Sequence, residues 1–165
     1  MSNHKDEVEF PKMSFLLMTV TTGFVGGIFW SLIGYLCYYF NFSTIEPNIL
    51  LEPFTVGTWR ESWIGIILTI ILYGIISIGV ALVYYILLKK LNTMWVGIGY
   101  GFVLFLVVFM ILNPIFPSMK PFFQIDINTL IAAACVYILY GLFIGYSISY
   151  EHNELKYFKE NELKR

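Results

Sequence analysis

Four long stretches without a charged side chain, separated by polar segments, dominate the chain. They cover residues 14–42, 63–88, 94–116 and 129–150. About 20 apolar residues in a helix, at ~1.5 Å of rise each, match the ~30 Å hydrocarbon core of a bilayer. The pattern therefore predicts an all-α fold, with a four-transmembrane-helix bundle over residues 13–150. Polar tails flank it at residues 1–12 and 151–165, and we expect the second tail to be helical.

Small residues recur every four positions within these stretches, which places them on one face of each predicted helix. Paired glycines let two backbones approach closely, and membrane helices gain packing contacts in this way when lipid and protein are equally apolar. We expect the glycine faces to close one half of the bundle on the other. The predicted helix-packing residues are Gly23, Gly27, Gly97, Gly101, Gly141 and Gly145.

The two halves of the chain share an order of features. The letters ILYG occur at residues 71–74 and again at 138–141, and five matched features lie 66 to 70 residues apart. Each half reads as a helix with a glycine pair, a loop with prolines and a second helix. This order predicts two tandem hairpins in a 2+2 parallel repeat. Chance similarity is the alternative, because membrane helices draw on few residue types.

The distribution of basic residues predicts the orientation. Residues 1–12, the turn at Lys89 and Lys90, and residues 151–165 hold eight of the ten Lys and Arg residues, whereas the two long loops hold only Arg60 and Lys120. Cytoplasmic segments carry the excess of positive charge. We therefore expect both termini in the cytoplasm and the two long loops outside.

Two details concern the outer ends of the helices. We expect Pro114 to end the third helix, because its ring disfavours the α region for Asn113. Asn41 occupies the corresponding end of the first helix and is a candidate cap. Cys37 and Cys135 fall at similar predicted depths, and we expect both to remain free thiols.

Composition narrows the class of function. Only 13% of the residues are charged, against about 25% in soluble domains. The net charge of −1 provides no basic footprint for nucleic acid. No charged residue or histidine lies in a predicted span, and intramembrane charge is the usual mark of proton relays and ion pathways. We therefore expect no enzyme activity, no catalytic residues, no metal site and no cofactor.

Two sets of polar residues remain as candidate sites. Outer-loop charges could bind a divalent cation or a basic partner, or they could simply be solvated: Glu46, Glu52, Arg60 and Glu61. Polar residues at membrane depth could line a crevice, or they could join helices by hydrogen bonds, which is the reading we favour. This second set comprises Tyr35, Thr69, Tyr73, Ser77, Tyr137 and Tyr140.

Two segments carry a resemblance to a known family. GFVGGIFWSLIGYLCYYFNFSTIEPNILLEPF (Gly23–Phe54) and LKKLNTMWVGIGYGF (Leu88–Phe102) resemble the YqhR-type membrane proteins of Gram-positive bacilli. The layout is similar over nearly the whole chain, and more distantly similar to the YagU-type inner-membrane family. The resemblance implies a bacterial plasma membrane location and supplies no catalytic residues.

Three functions are open at this point. The preferred one is a scaffold or accessory subunit that binds a membrane-protein partner, another copy of itself or membrane lipid. The alternative is a small oligomeric transporter or channel for a neutral or lipid-like solute, suggested by the repeat and the polar stripe. An enzyme acting on lipid-linked substrates through the outer-loop acids ranks last.

Overall fold

Four α-helices make up most of the structure. The computed structural model describes residues 15–54, 62–88 and 94–162, with side chains for residues 16–53, 62–88 and 94–151. The helices are α1 (Phe15–Tyr39), α2 (Trp63–Leu88), α3 (Met94–Leu106) and α4 (Ile127–Glu162). Segments apolar and long enough to cross a membrane are Leu16–Tyr39, Trp63–Leu88, Met94–Ile115 and Ile127–Glu151. The predicted all-α fold with four membrane-spanning helices is therefore confirmed.

Helix α1 ends at Tyr39, three residues before the predicted end. Asn41 has φ 59°, in the left-handed region that stops an α-helix. Its N–H donates to the Tyr38 carbonyl at 3.0 Å, and the Phe42 N–H donates to the Cys37 carbonyl at 2.8 Å. These two bonds satisfy carbonyls that would otherwise lack partners at the helix end. The chain then turns back towards the bundle.

The third span changes its winding before it ends. Helix α3 continues as a π-helix over Val107–Leu112 and as a 3₁₀ turn over Asn113–Ile115. Asn113 has φ −46° and ψ −44°, so the expectation that Pro114 excludes it from the α region is wrong. A proline ring clashes with the carbonyl four residues earlier in a regular α-helix. A wider π turn is a recognised way to accommodate such a disruption.

Helix α4 begins two residues before its predicted start and includes the first part of the tail. It begins at Ile127, where an Asp126 carboxylate oxygen accepts from the Asn128 N–H at 3.2 Å and thereby caps the first turn. It continues without a break to Glu162, past the end of the apolar span at Glu151. The predicted boundary between span and tail is thus a change of polarity within one helix.

The first hairpin is α1 packed along α2. A Cβ placed on Gly27 would lie 2.8 Å from the Gly74 Cα, and one placed on Gly23 would lie 2.8 Å from the Ala81 Cβ. Both distances are shorter than real carbon contacts of about 3.5–4.0 Å. Only glycine allows the two helices to come this close.

The second hairpin, α3 along α4, is closed in the same way. A Cβ on Gly101 would lie 2.7 Å from the Ile138 Cα, and one on Gly145 would lie 2.9 Å from the Gly97 Cα. A Cβ on Gly141 would lie closer still to the backbone of Gly101. The predicted glycine faces therefore mainly close each hairpin internally, and of the six glycines only Gly145 also faces the other hairpin, at Tyr84. This corrects the expectation that the glycine faces join one half of the bundle to the other.

The two hairpins meet mainly where α1 packs on α4. A Cβ on Gly26, a glycine that the sequence analysis did not select, would lie 3.0 Å from the Phe143 ring. Tyr84 of α2 is buried against Gly145 of α4, and Ile144 is fully buried in the same cluster. Large side chains thus fill the contact between the hairpins, in contrast to the glycine contacts within them.

Candidate functional site at the loop end of the bundle

Most of the side-chain hydrogen bonds of the described residues lie at one end of the bundle, beside residues 40–54 and 116–126. We call this region the loop end. Its first part contains a 3₁₀ helix, Pro47–Phe54, which packs against α1 and α2. Its second part contains a 3₁₀ turn, Phe122–Gln124, beside a cluster of buried Phe105, Phe109 and Ile125. Each connection is therefore anchored to its own hairpin.

Asn48 is the centre of a hydrogen-bond network that joins the first loop to both helices of its hairpin. The residue is only 1% exposed. Its side-chain carbonyl accepts from the Tyr35 hydroxyl of α1 and, at 3.1 Å, from the Thr69 hydroxyl of α2. Its amide nitrogen donates to a Glu46 carboxylate oxygen at 2.6 Å. A buried amide with these partners fixes the loop and positions the Glu46 carboxylate.

Two contacts hold the first loop to the second hairpin, one to the first turn of α4 and one to the second loop. The Thr129 hydroxyl accepts from the Thr44 N–H at 2.9 Å and lies 3.1 Å from the Thr44 hydroxyl. Farther along, the Glu52 carboxylate accepts from the Ser118 hydroxyl and, at 3.3 Å, from the Ser118 N–H. The first loop is therefore held to α4 at Thr44 and to the second loop at Glu52.

A cleft of about 590 Å³ lies between the loops. Charged side chains of both signs line it, Glu46 from the first loop and Lys120 and Asp126 from the second. Of the predicted outer-loop charges, Glu46 therefore faces the cleft, whereas Glu52 holds the loops together. Arg60 and Glu61 lie outside the described residues.

The six predicted crevice residues fall into separate sets of contacts. Tyr35 and Thr69 bond to Asn48, and the Tyr73 hydroxyl lies 3.5 Å from the Pro47 carbonyl. These three serve the loop end.

Deeper in the bundle, the Ser77 hydroxyl donates to the Gly23 carbonyl and bonds to the Tyr140 hydroxyl, which connects α1, α2 and α4. The Tyr137 ring packs edge-on against Phe105 and Phe109. Neither the loop-end cleft nor a second cleft beside Phe143 and Tyr146 includes Ser77, Tyr137 or Tyr140 in its walls.

Sequence reasoning missed four residues that shape this end. They are Thr44, Asn48, Ser118 and Thr129, all of which make contacts between segments distant in the chain. Asn48 had one available signal, since it is an uncharged polar residue between a proline and an apolar run. The other three are hydroxyl residues, of which Thr44 and Ser118 lie in loops and Thr129 begins the predicted fourth span, and nothing in their spacing distinguishes them. Within the part of the chain that the structure describes, no group of three or more His, Cys, Asp or Glu could hold a metal ion.

Four apolar spans with short polar connections define a multi-pass integral membrane protein. The chain belongs to the family of the conserved membrane protein YqhR, whose model matches residues 2–163. A protein of Bacillus subtilis (strain 168), named uncharacterized protein YqhR, is 49% identical over 150 residues, which cover 91% of this chain and 84% of that protein. No solved structure matches the chain significantly. The resemblance found in the sequence is therefore confirmed.

Proposed function

We propose that this protein is a non-catalytic scaffold or accessory subunit of the bacterial plasma membrane, which acts by associating with a partner. The proposal rests on the observation that polar groups inside the bundle form hydrogen bonds between helices. The Ser77 hydroxyl donates to the Gly23 carbonyl and bonds to the Tyr140 hydroxyl, and Tyr100 donates to the Val80 carbonyl at 2.7 Å. These groups join helices, as polar side chains in membrane bundles commonly do.

The proposed orientation places both termini in the cytoplasm, as the excess of Lys and Arg at that end favours. Helix α4 then projects from the membrane, because it continues from Glu151 to Glu162. Eleven further residues at ~1.5 Å each give a helix of roughly 16 Å beyond the span. Its sequence contains Leu155 and Phe158, three residues apart, among charged residues. We propose this segment as the docking helix for a cytoplasmic or membrane-protein partner.

Affinity purification of the full-length protein from native membranes, with mass spectrometry of co-purifying proteins, tests this function. The double substitution Leu155→Ser and Phe158→Ser should remove the partner while leaving the protein in the membrane. The matched control is Glu154→Ser with Glu160→Ser, which changes the same helix at charged positions and should retain it. Equal recovery of the partner with both variants would exclude the helix as the docking site. Absence of any specific partner from the unaltered protein would refute the scaffold function.

We also propose that the chain arose by duplication of one hairpin. In the first hairpin Gly27 packs on Gly74, and in the second Gly101 packs on Gly141. Both hairpins are therefore closed by a glycine–glycine contact between their helices. By these contacts, Gly27 of the first hairpin corresponds to Gly101 of the second. The sequence offsets match Gly27 instead to Gly97, four residues earlier. An experimental structure should superpose the hairpins by a rotation about the membrane normal, and hairpins with different crossing geometry would contradict the duplication.

The alternative, an oligomeric transporter or channel for a neutral or lipid-like solute, is favoured by the loop-end cleft with its polar walls. The hydrogen bonds of Ser77 and Tyr140 count against a path that continues through the bundle, since a solute would have to replace them. Solute uptake into proteoliposomes that contain only the purified protein distinguishes the two functions. Uptake above that of empty vesicles would favour transport over the scaffold.

A further inference from the structure

Contacts within the protein fix the walls of the cleft at the loop end. The Thr44–Thr129 and Glu52–Ser118 contacts hold its two walls together. Its volume of about 590 Å³ lies within the ~300–1,000 Å³ of small-molecule sites. A cleft with walls fixed in this way can bind a ligand without the entropic cost of ordering its own loops.

Hydrogen bonds within the protein occupy only part of the bonding capacity of the charged groups in the cleft. One oxygen of Glu46 accepts from Asn48, and one oxygen of Asp126 accepts from the Asn128 N–H. Among the described residues, the second oxygen of each carboxylate has no hydrogen-bond partner, and the ammonium group of Lys120 forms no ion pair. Two carboxylates and one ammonium therefore face a common space with bonding capacity left.

Asn48 makes the Glu46 carboxylate a fixed group. The amide is nearly fully buried and is itself held by hydroxyls from α1 and α2. Its bond to Glu46, at 2.6 Å, orients the carboxylate towards the cleft that both residues line. A buried polar side chain devoted to positioning a charged one is the arrangement expected of a binding site, where supporting contacts hold the groups that meet the ligand.

We propose that this cleft binds a phosphoethanolamine group, with the primary ammonium at Glu46 and Asp126 and the phosphate at Lys120. A primary ammonium has three N–H donors and can serve two carboxylates at once. A lysine ammonium is a common ligand for phosphate. The assignment depends on the cleft alone and holds whether or not the protein is a scaffold.

The same chemistry occurs in the headgroup of an ethanolamine phospholipid and in the soluble compound. Apolar side chains of Ile45, Ile49 and Met119 also line the cleft. Tyr39, at the same end of the bundle, is 79% exposed. Exposed aromatic side chains are typical of the membrane interface, where lipid headgroups lie. These features favour the lipid as the source.

Calorimetric titration of the full-length protein in a nonionic detergent tests the proposal with three probes. Dihexanoyl phosphatidylethanolamine should bind about ten-fold or more tightly than dihexanoyl phosphatidylcholine, whose quaternary nitrogen has no N–H donor. Equal binding of the two lipids, or binding of neither, would overturn the proposal. Soluble O-phosphoethanolamine distinguishes the sources: weaker binding than the lipid supports the headgroup, and binding equal to the lipid supports the cleft chemistry with a soluble ligand.

Two substitutions locate the site. Glu46→Gln keeps an oxygen that can accept from Asn48, and Lys120→Gln alters an exposed residue, so both variants should fold. Each should weaken phosphatidylethanolamine binding about ten-fold. The control Glu151→Gln, at the opposite end of the span, should leave it unchanged. Thermal unfolding of each variant checks the fold, and undiminished binding by both folded cleft variants would place the ligand elsewhere.

Discussion

Replacing Gly101 by alanine tests the closest approach between α3 and α4. The added Cβ would lie 2.7 Å from the Ile138 Cα and nearer still to the Tyr137 carbonyl oxygen. Both are backbone atoms, which no side-chain rotation can move away. The control is Gly99→Ala on the same helix two residues earlier, where a Cβ would meet nothing within 4 Å.

The size of the effect follows from the distance. Ordinary carbon contacts begin near ~3.5 Å, so α3 would have to move away from α4 by roughly 0.8 Å at this point. A gap of about 0.5–1 Å forfeits a quarter to a half of each dispersion contact along the seam. Overpacking of this kind typically costs about 1–3 kcal/mol. Gly99→Ala should be neutral or slightly stabilising, because alanine is the better helix former.

Unfolding of the purified protein in mixed micelles, at increasing SDS and followed by circular dichroism, measures the difference. Gly101→Ala should unfold at a lower SDS fraction than the unaltered protein, and Gly99→Ala at the same fraction or a higher one. Equal stability of all three proteins would refute the reasoning, because it would mean that α3 and α4 have room for a methyl group at Gly101. A similar loss in both variants would show that the effect does not come from the close approach at Gly101, because Gly99 has no neighbour within 4 Å.

The stability of two further variants can be measured by the same unfolding in SDS. Asn48→Ala should destabilise the protein by about 1–3 kcal/mol, because the buried Thr69 hydroxyl and the half-buried Tyr35 hydroxyl lose their shared acceptor. Tyr140→Phe should cost only ~0.6 kcal/mol, typical of one hydrogen bond in a membrane bundle, and a loss above ~2 kcal/mol would contradict this.

How far the candidate site could be predicted differs between its parts. The sequence shows the outer-loop acids as charges among apolar residues, but it predicts the same role for Glu46 and Glu52. The fold separates them, since Glu46 lines the cleft and Glu52 bonds to Ser118. The role of Asn48 depends on Thr69 lying beside it, 21 residues away in the chain. Spacing rules apply within one helix or strand, so they carry no information about such a contact.

The sequence by itself determined that the chain forms four membrane-spanning helices and belongs to the YqhR family. The reason is that a bilayer core requires long uncharged helices, whatever their neighbours are. Only the tertiary structure decided which surfaces meet. A stripe of small residues permits close approach to any other helix, and so the sequence could not assign the glycines to contacts within each hairpin. Packing of the first loop against the second hairpin, and with it the cleft, likewise depends on contacts such as Thr44 with Thr129 of α4, which exist only once α1 and α4 lie side by side.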